Sequence, residues 1–283
     1  MRKPAMVYRT PEDDSTRWLG FPFRPGDIVV STAHKSGTTW TQMICALLVF
    51  QTPELPAPLA ELSPWLDQLV TPADEVYASL AAQEHRRFIK THTPLDGLPL
   101  APEVTYIVVA RHPLDVAVSR YHHFEGLPAG ERPRIPPVRE WVLSWVDRDD
   151  WQPDSLQRLV WHLSDAWERR DEPNVVLVHY EDLSLDLDHE MRRLAGRLGI
   201  SVPDRTWPAL VEAATFKHMR ARADLLVPKA AKALTDNRAF FRKGTSGSGR
   251  ALLAGEELAH YRERVETMAS PDLLSWLHRP CSI

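Results

Sequence analysis

The sequence predicts an α/β fold: a central parallel β-sheet with helices on both of its faces. Three observations predict it. Runs at 27–31, 104–110 and 174–179 are short, apolar and rich in β-branched residues, as buried strands are, and Arg-Phe-Ile-Lys-Thr at 87–91 reads as a further short strand. Stretches of helical periodicity separate these runs, so successive strands are joined by crossovers and lie parallel. Polar clusters follow the strands directly, where open α/β sheets place ligands.

In chain order, residues 1–25 are polar with scattered aromatics and read as an irregular arm. The strand at 27–31 runs into a turn holding Lys35, Ser36, Gly37, Thr38 and Thr39, then a buried helix at 41–50 with Met43, Ile44, Leu47 and Leu48 apolar. Residues 53–64 form a proline-rich connector, and 65–70 and 73–85 read as short helices. The strand at 87–91 ends in Lys90-Thr91-His92; the strand at 104–110 leads to Arg111 and a helix at 116–124, opened by Pro113. A loop at 125–137 precedes helices at 141–146 and 155–170, the latter with Leu156, Leu159, Leu163 and Trp167 as a buried stripe. After the strand at 174–179 come Tyr180-Glu181-Asp182-Leu183, a helix at 187–198 stopped by Gly199, and another at 207–214. Residues 223–249 are polar and irregular, carrying Lys229, Lys232, Arg238, Arg242 and Lys243; helices at 256–268 and 271–277 close the chain.

The 283 residues, 43% apolar and 25% charged, are ordinary for one globular domain, and the spread of motifs over 1–283 argues for a single one. A net charge of −4 excludes a global field for nucleic acid but allows a local basic site. Cys45 and Cys281 make no disulfide framework, which fits a reducing, cytoplasmic compartment. No apolar run suits a signal peptide or a membrane span, so no membrane partner is expected.

The chemistry centres on the turn after the first strand. A strand-to-helix turn aims backbone N–H groups and the positive end of the helix dipole at one point. Lys35 adds a full charge, Thr38 and Thr39 add hydroxyls, and Gly37 lets the backbone approach an anion. The alternative is an ordinary capped helix start. The order is not that of the nucleotide-triphosphatase loop, because Lys35 precedes the only glycine. His92, after a strand, suits a general base. Arg111 suits bidentate phosphate binding, or pairs with Asp115. Arg242-Lys243-Gly244 suits an exposed phosphate, or is a solvated charge pair.

Six segments in this order resemble the cytosolic-type sulfotransferases over about residues 20–250. They are Lys35–Trp40, Lys90-Thr91-His92, Arg111–Ser119, Tyr180–Leu183, Ala214–Met219 and Arg242-Lys243-Gly244. The resemblance implies a P-loop-like sheet and transfer of a sulfuryl group from 3′-phosphoadenosine 5′-phosphosulfate (PAPS, leaving PAP) to a hydroxyl of a small acceptor, without a metal. By that resemblance Lys35, Ser36, Gly37, Thr38 and Thr39 hold the 5′-phosphosulfate. Trp40 and Phe216 flank the adenine, with Tyr180 and Thr215 at its polar edge. Arg111, Ser119, Arg242, Lys243 and Gly244 hold the 3′-phosphate. His92 is the base, and Lys35 and Lys90 offset charge on the leaving group of an in-line transfer. An ATP-dependent kinase and a non-catalytic nucleotide binder are the alternatives.

Three departures from the family stand out. His34 replaces the usual proline before the lysine; it either faces the pocket or, the simpler reading, is a surface substitution. The dimerisation signature is not recognisable around 247–253, leaving the oligomeric state open. Extra glycines there make 223–249 a mobile lid over the cofactor. Trp65, Trp141, Trp145 and Trp151, with Phe21, Phe23, Tyr77 and Phe124, offer an apolar acceptor pocket; of these Trp65 and Tyr77, with Leu66 and Leu69, read more simply as core.

Overall fold

The computed structural model describes residues 1–128, 130–149, 154–227 and 237–279. Its four strands, β1 (Ile28–Thr32), β2 (Phe88–Thr91), β3 (Thr105–Ala110) and β4 (Val175–His179), form one parallel sheet in the order β2-β1-β3-β4. The chain passes from β1 to one neighbour and returns to the other side, so the switch of direction lies at β1. A crevice opens there beyond the carboxyl ends of the strands. The register pairs Ser31 with Thr91 and Thr32 with Val109, which brings the turns after β1, β2 and β3 to one end of the sheet.

Side-chain alternation within the strands explains why both faces are covered. Val29, Ile89, Tyr106 and Val108 enter one apolar cluster, with the helices Pro113–Glu125, Val138–Asp147 and Leu156–Glu168. Ile28, Val30, Phe88, Ile107 and Val109 enter the other, with the helices Thr38–Phe50, Leu187–Leu198 and Trp207–Ala214. A period of two on strands buried from both sides gives the near-continuous apolar runs seen in the sequence.

Several local expectations are corrected. The first long helix starts at Thr38, three residues before the expected start at 41, because Thr38 and Thr39 are buried helical residues and not part of the turn. Residues 65–70 are not a helix. Pro64 and Trp65 instead pair with Lys90: the Lys90 N–H donates to the Pro64 carbonyl (3.0 Å) and Trp65 bridges Lys90 in parallel. β2 is an edge strand, and this segment satisfies its outer backbone groups. Short helices at Leu59–Leu62 and Tyr180–Leu185 lie where a connector and a polar cluster were read. The N-terminal arm is largely irregular but holds a 3₁₀ turn at Ser15–Trp18, with Trp18 fully buried. Cys45 is buried and unpaired; Cys281 lies outside the described residues. No helix among the described residues is long and apolar enough to cross a membrane.

Candidate active site

The turn after β1 is held in an unusual backbone shape. Lys35 has φ +64° and Gly37 φ +112°, both in the left-handed region. Gly37 caps the helix Thr38–Phe50 without any side-chain hydrogen bond, so no serine or threonine occupies the first-turn N–H groups. An uncapped start of this kind is the arrangement that binds anions, and it removes the capped-helix alternative. Thr38 Oγ1 lies 2.5 Å from Thr32 Oγ1, which ties the turn to the end of β1. Lys35 Nζ stands 4.5 Å from the centroid of Phe240. Burial, with Arg120, Arg111 and Lys90 nearby, pulls the Lys35 ammonium down to about 7. Burial alone pulls Lys90 down to about 8, against the pull of Asp13, Asp67 and Glu12. A site that penalises its own cations in this way gains most when a polyanion arrives.

His92 follows β2 in the same crevice. Its Nδ1 is 2.6 Å from the carbonyl oxygen of Thr32. A carbonyl only accepts, so Nδ1 carries the proton and Nε2 keeps its lone pair. Burial and the Lys90 charge hold the imidazole well below its ordinary value, so it is neutral at pH 7. Trp65 meets it edge-on, with centroids 4.6 Å apart and planes at 90°, and Lys90 Nζ sits 3.7 Å over the same tryptophan. The segment is anchored from below by Asp67. That buried carboxylate accepts from Thr91 Oγ1 (2.5 Å), Thr93 Oγ1 (2.7 Å) and Trp18 Nε1 (2.9 Å).

Arg111 follows β3. It does not pair with Asp115. Its terminal nitrogens donate to the carbonyls of Lys35 and Thr245, both at 3.2 Å, while its buried Nε has no partner among the described residues. The guanidinium lies 4.2 Å from the Tyr180 ring centroid, and Tyr180 in turn meets Trp40 edge-on at 5.1 Å. Trp40 is fixed by its Nε1, which donates to the Ala214 carbonyl at 2.9 Å. Asp115 spends its carboxylate on the loop beyond Gly244: Gly247 N donates at 2.7 Å, Gly249 N at 2.8 Å and Ser248 Oγ at 3.2 Å. Gly244 has φ +65°, and a Cβ there would lie 2.3 Å from the Phe216 ring, so only glycine lets this loop close over that ring.

These residues share one cavity of about 630 Å³, within the usual size of a small-ligand site. Lys35, Gly37, Thr38, Thr39, Trp40, Lys90, His92, Arg111, Ser119, Tyr180, Phe216, Arg242, Lys243 and Gly244 all line it. Two expected residues do not. The Ser36 side chain is fully buried, its hydroxyl without a partner among the described residues, because the turn points it into the interior. Thr215 caps the helix Phe216–Ala221 instead: its hydroxyl accepts from His218 N and donates to the Glu212 carbonyl.

Other expectations are corrected too. His34 is no surface substitution; it lines the cavity with its ring 4.0 Å from that of His92. Trp65 and Phe124 line the cavity, whereas Phe21, Trp141 and Trp145 are core, and Phe23 and Tyr77 pack against it. Leu66 is core as expected, but Leu69 is exposed. Lys229, Lys232, Trp151 and the middle of the expected lid lie outside the described residues.

Sequence reasoning missed Arg120 and His123, which line the cavity from the helix Pro113–Glu125. His123 follows Ser119 by four residues, so helical spacing carried its signal, whereas Arg120 is the next residue round the helix and no such spacing marks it. Glu12 also lines the cavity. Nothing local in the sequence marks it, because the fold of the arm brings it there. Among the described residues no group of three His, Cys, Asp or Glu side chains is arranged around a common point for a metal.

The family profile described as the sulfotransferase domain matches residues 25–274. The chain belongs to the sulfotransferase family. It is 40% identical to a glycolipid sulfotransferase of Mycobacterium bovis, over 96% of this chain and 94% of that protein. It is 28% identical to sulfotransferase 1A1 of Bos taurus, over 85% of this chain and 84% of that one. Among solved structures, retinol dehydratase in complex with androsterone and the inactive cofactor PAP superposes with a TM-score of 0.73 at 23% identity. That match covers 94% of this sulfotransferase and 85% of the other chain. A mouse sulfotransferase complexed with PAP gives 0.73 at 21% identity, covering 96% and 99%. These two likenesses establish the shared fold.

Proposed function

We propose that this sulfotransferase moves the sulfuryl group of PAPS to a hydroxyl of a glycolipid-class acceptor, with His92 as base. One observation carries the reading. His92, its tautomer fixed by the Thr32 carbonyl, faces the same cavity as the uncapped helix start and the Lys35, Lys90 and Arg111 cations.

The donor set suits a nucleotide with two anionic ends. Lys35, Thr38, Thr39 and the free N–H groups after Gly37 receive the 5′-phosphosulfate. Arg111, with its orphaned Nε, receives the 3′-phosphate together with Ser119, Arg242, Lys243 and the Gly244 backbone. Trp40 and Phe216 flank the adenine, with Tyr180 at its edge. When bound, the donor supplies an activated sulfuryl group whose bridging oxygen gains negative charge on transfer. His92 Nε2 accepts the proton of the attacking hydroxyl. Lys35 and Lys90 stabilise the charge that develops opposite it. Trp65 and Phe124 shield the reacting centre from water.

The acceptor expected from the sequence alone was a small apolar or aromatic hydroxyl compound: a phenol, an alcohol or a lipid-like hydroxyl, not a polysaccharide. The Mycobacterium bovis relative, at 40% identity, is named for glycolipids. An amphiphile also matches a cavity that sets Trp65, Val70, Phe124 and Leu127 beside His34 and His92.

Sulfur-labelled donor incubated with a galactolipid in micelles and, separately, with a phenol tests the reading. Label in the galactolipid is expected, together with tighter binding of PAP than of ATP. Label in neither acceptor, or a preference for ATP, overturns it.

A further inference from the structure

His34 stands beside the base with no assigned role. Its ring centroid is 4.0 Å from that of His92, with the planes tilted by 36°. Trp65 meets both rings edge-on, at 6.4 and 4.6 Å. The two histidines line the main cavity and also wall off a chamber of about 30 Å³ behind them, bordered by Tyr8, Asp13 and His162.

The hydrogen bonding of the pair is asymmetric. His92 commits Nδ1 to the Thr32 carbonyl. His34 forms no side-chain hydrogen bond or ion pair among the described residues. Burial, reinforced by mutual repulsion with His92, keeps His34 neutral, so its ring offers one donor and one acceptor. Neither ring nitrogen is fully buried, so both are open to a ligand in the spaces that the ring lines.

We propose that His34 is the acceptor-reading residue: it hydrogen-bonds the hydroxyl next to the one that His92 deprotonates, so the site selects a vicinal diol on a sugar. Rings in near-stacked contact present their edges side by side, as adjacent hydroxyls of a pyranose lie side by side. A simple alcohol engages His92 alone and leaves His34 unpaired in the cavity. A site that hydrogen-bonds a substrate hydroxyl discriminates against the analogue that lacks it. The inference rests on the glycolipid reading above and names the chemical feature that reading requires.

The test crosses the side chain with the hydroxyl. Octyl β-galactoside and its deoxy analogues, each lacking one hydroxyl, are assayed with wild type, His34→Ala and His34→Phe; the phenylalanine keeps a ring against His92. For wild type, loss of the hydroxyl adjacent to the sulfated position is expected to lower kcat/KM roughly tenfold or more. In both variants that penalty should vanish, while PAP affinity stays as in wild type. If the losses from variant and deoxy analogue simply multiply, the two groups do not touch and the proposal is overturned. Sulfation of octanol or a phenol but of no galactoside also overturns it, and leaves the PAPS reaction standing. Failure of wild type on every acceptor removes the proposed function itself.

Discussion

Replacing Asp115 by asparagine isolates the contact that holds the loop after Gly244, on the side of the site proposed for the 3′-phosphate. Asp115 is 2% exposed and its two oxygens receive Gly247 N, Gly249 N and Ser248 Oγ. Asparagine keeps one accepting oxygen and turns an NH₂ toward a backbone N–H, so at least one buried donor loses its partner. A hydrogen bond to a charged group contributes about 1.5–3 kcal/mol. At 1.36 kcal/mol per decade this is roughly a ten- to hundredfold shift toward the released loop. The same loop carries Arg242, Lys243 and Gly244 at the cavity. Asp115→Asn is therefore expected to raise the Kd for PAP by roughly that factor. At saturating donor, kcat should change much less, because the variant leaves His92 and Lys35 untouched. Calorimetric titration reads the affinity, and hydrogen exchange over residues 244–249 reads the release. Wild-type affinity with unchanged exchange would show that the loop is held by other contacts.

Other outcomes follow from the same geometry. His92→Asn should lower kcat by about 10²–10⁴ while PAP affinity stays within a few-fold; unaltered turnover removes the base assignment. PAP affinity should be full below about pH 7 and fall as pH rises, because free Lys35 and Lys90 deprotonate at about 7 and about 8 and only the charged forms pair with phosphate. The slope reaches about one decade per pH unit for each lysine, and Lys35→Arg should flatten it; a flat wild-type profile contradicts the account. Gly244→Ala forces a side chain into φ +65° and against Phe216, so PAP binding should weaken by roughly tenfold or more, measured by the same titration. Exchange over 237–249 should slow when PAP is added if that segment closes over the donor; equal exchange with and without PAP argues against a lid.

Much of this was written locally. Three β-branched apolar runs and the shorter run at 87–91 read as strands, and helical stretches between them imply parallel pairing. Lys35, Lys90 and Arg111 each stand at a strand end, and the parallel register carries all strand ends to one side. That is why separate motifs were legible as one site. Ser36 and Thr215 fall outside the cavity lining for the opposite reason: residue type announces hydroxyl chemistry, while the direction of the side chain depends on turn and cap geometry.

The fold class, the glycine-bearing turn after the first strand and the identity of the candidate base were legible in the sequence, because strand and helix patterning and a short contiguous motif are local properties. It took the packed chain to show that Glu12 reaches the cavity, that Asp115 holds the loop at 247–249 and that His34 lies against His92. Those contacts join segments far apart in the chain, through side-chain directions that no local pattern specifies.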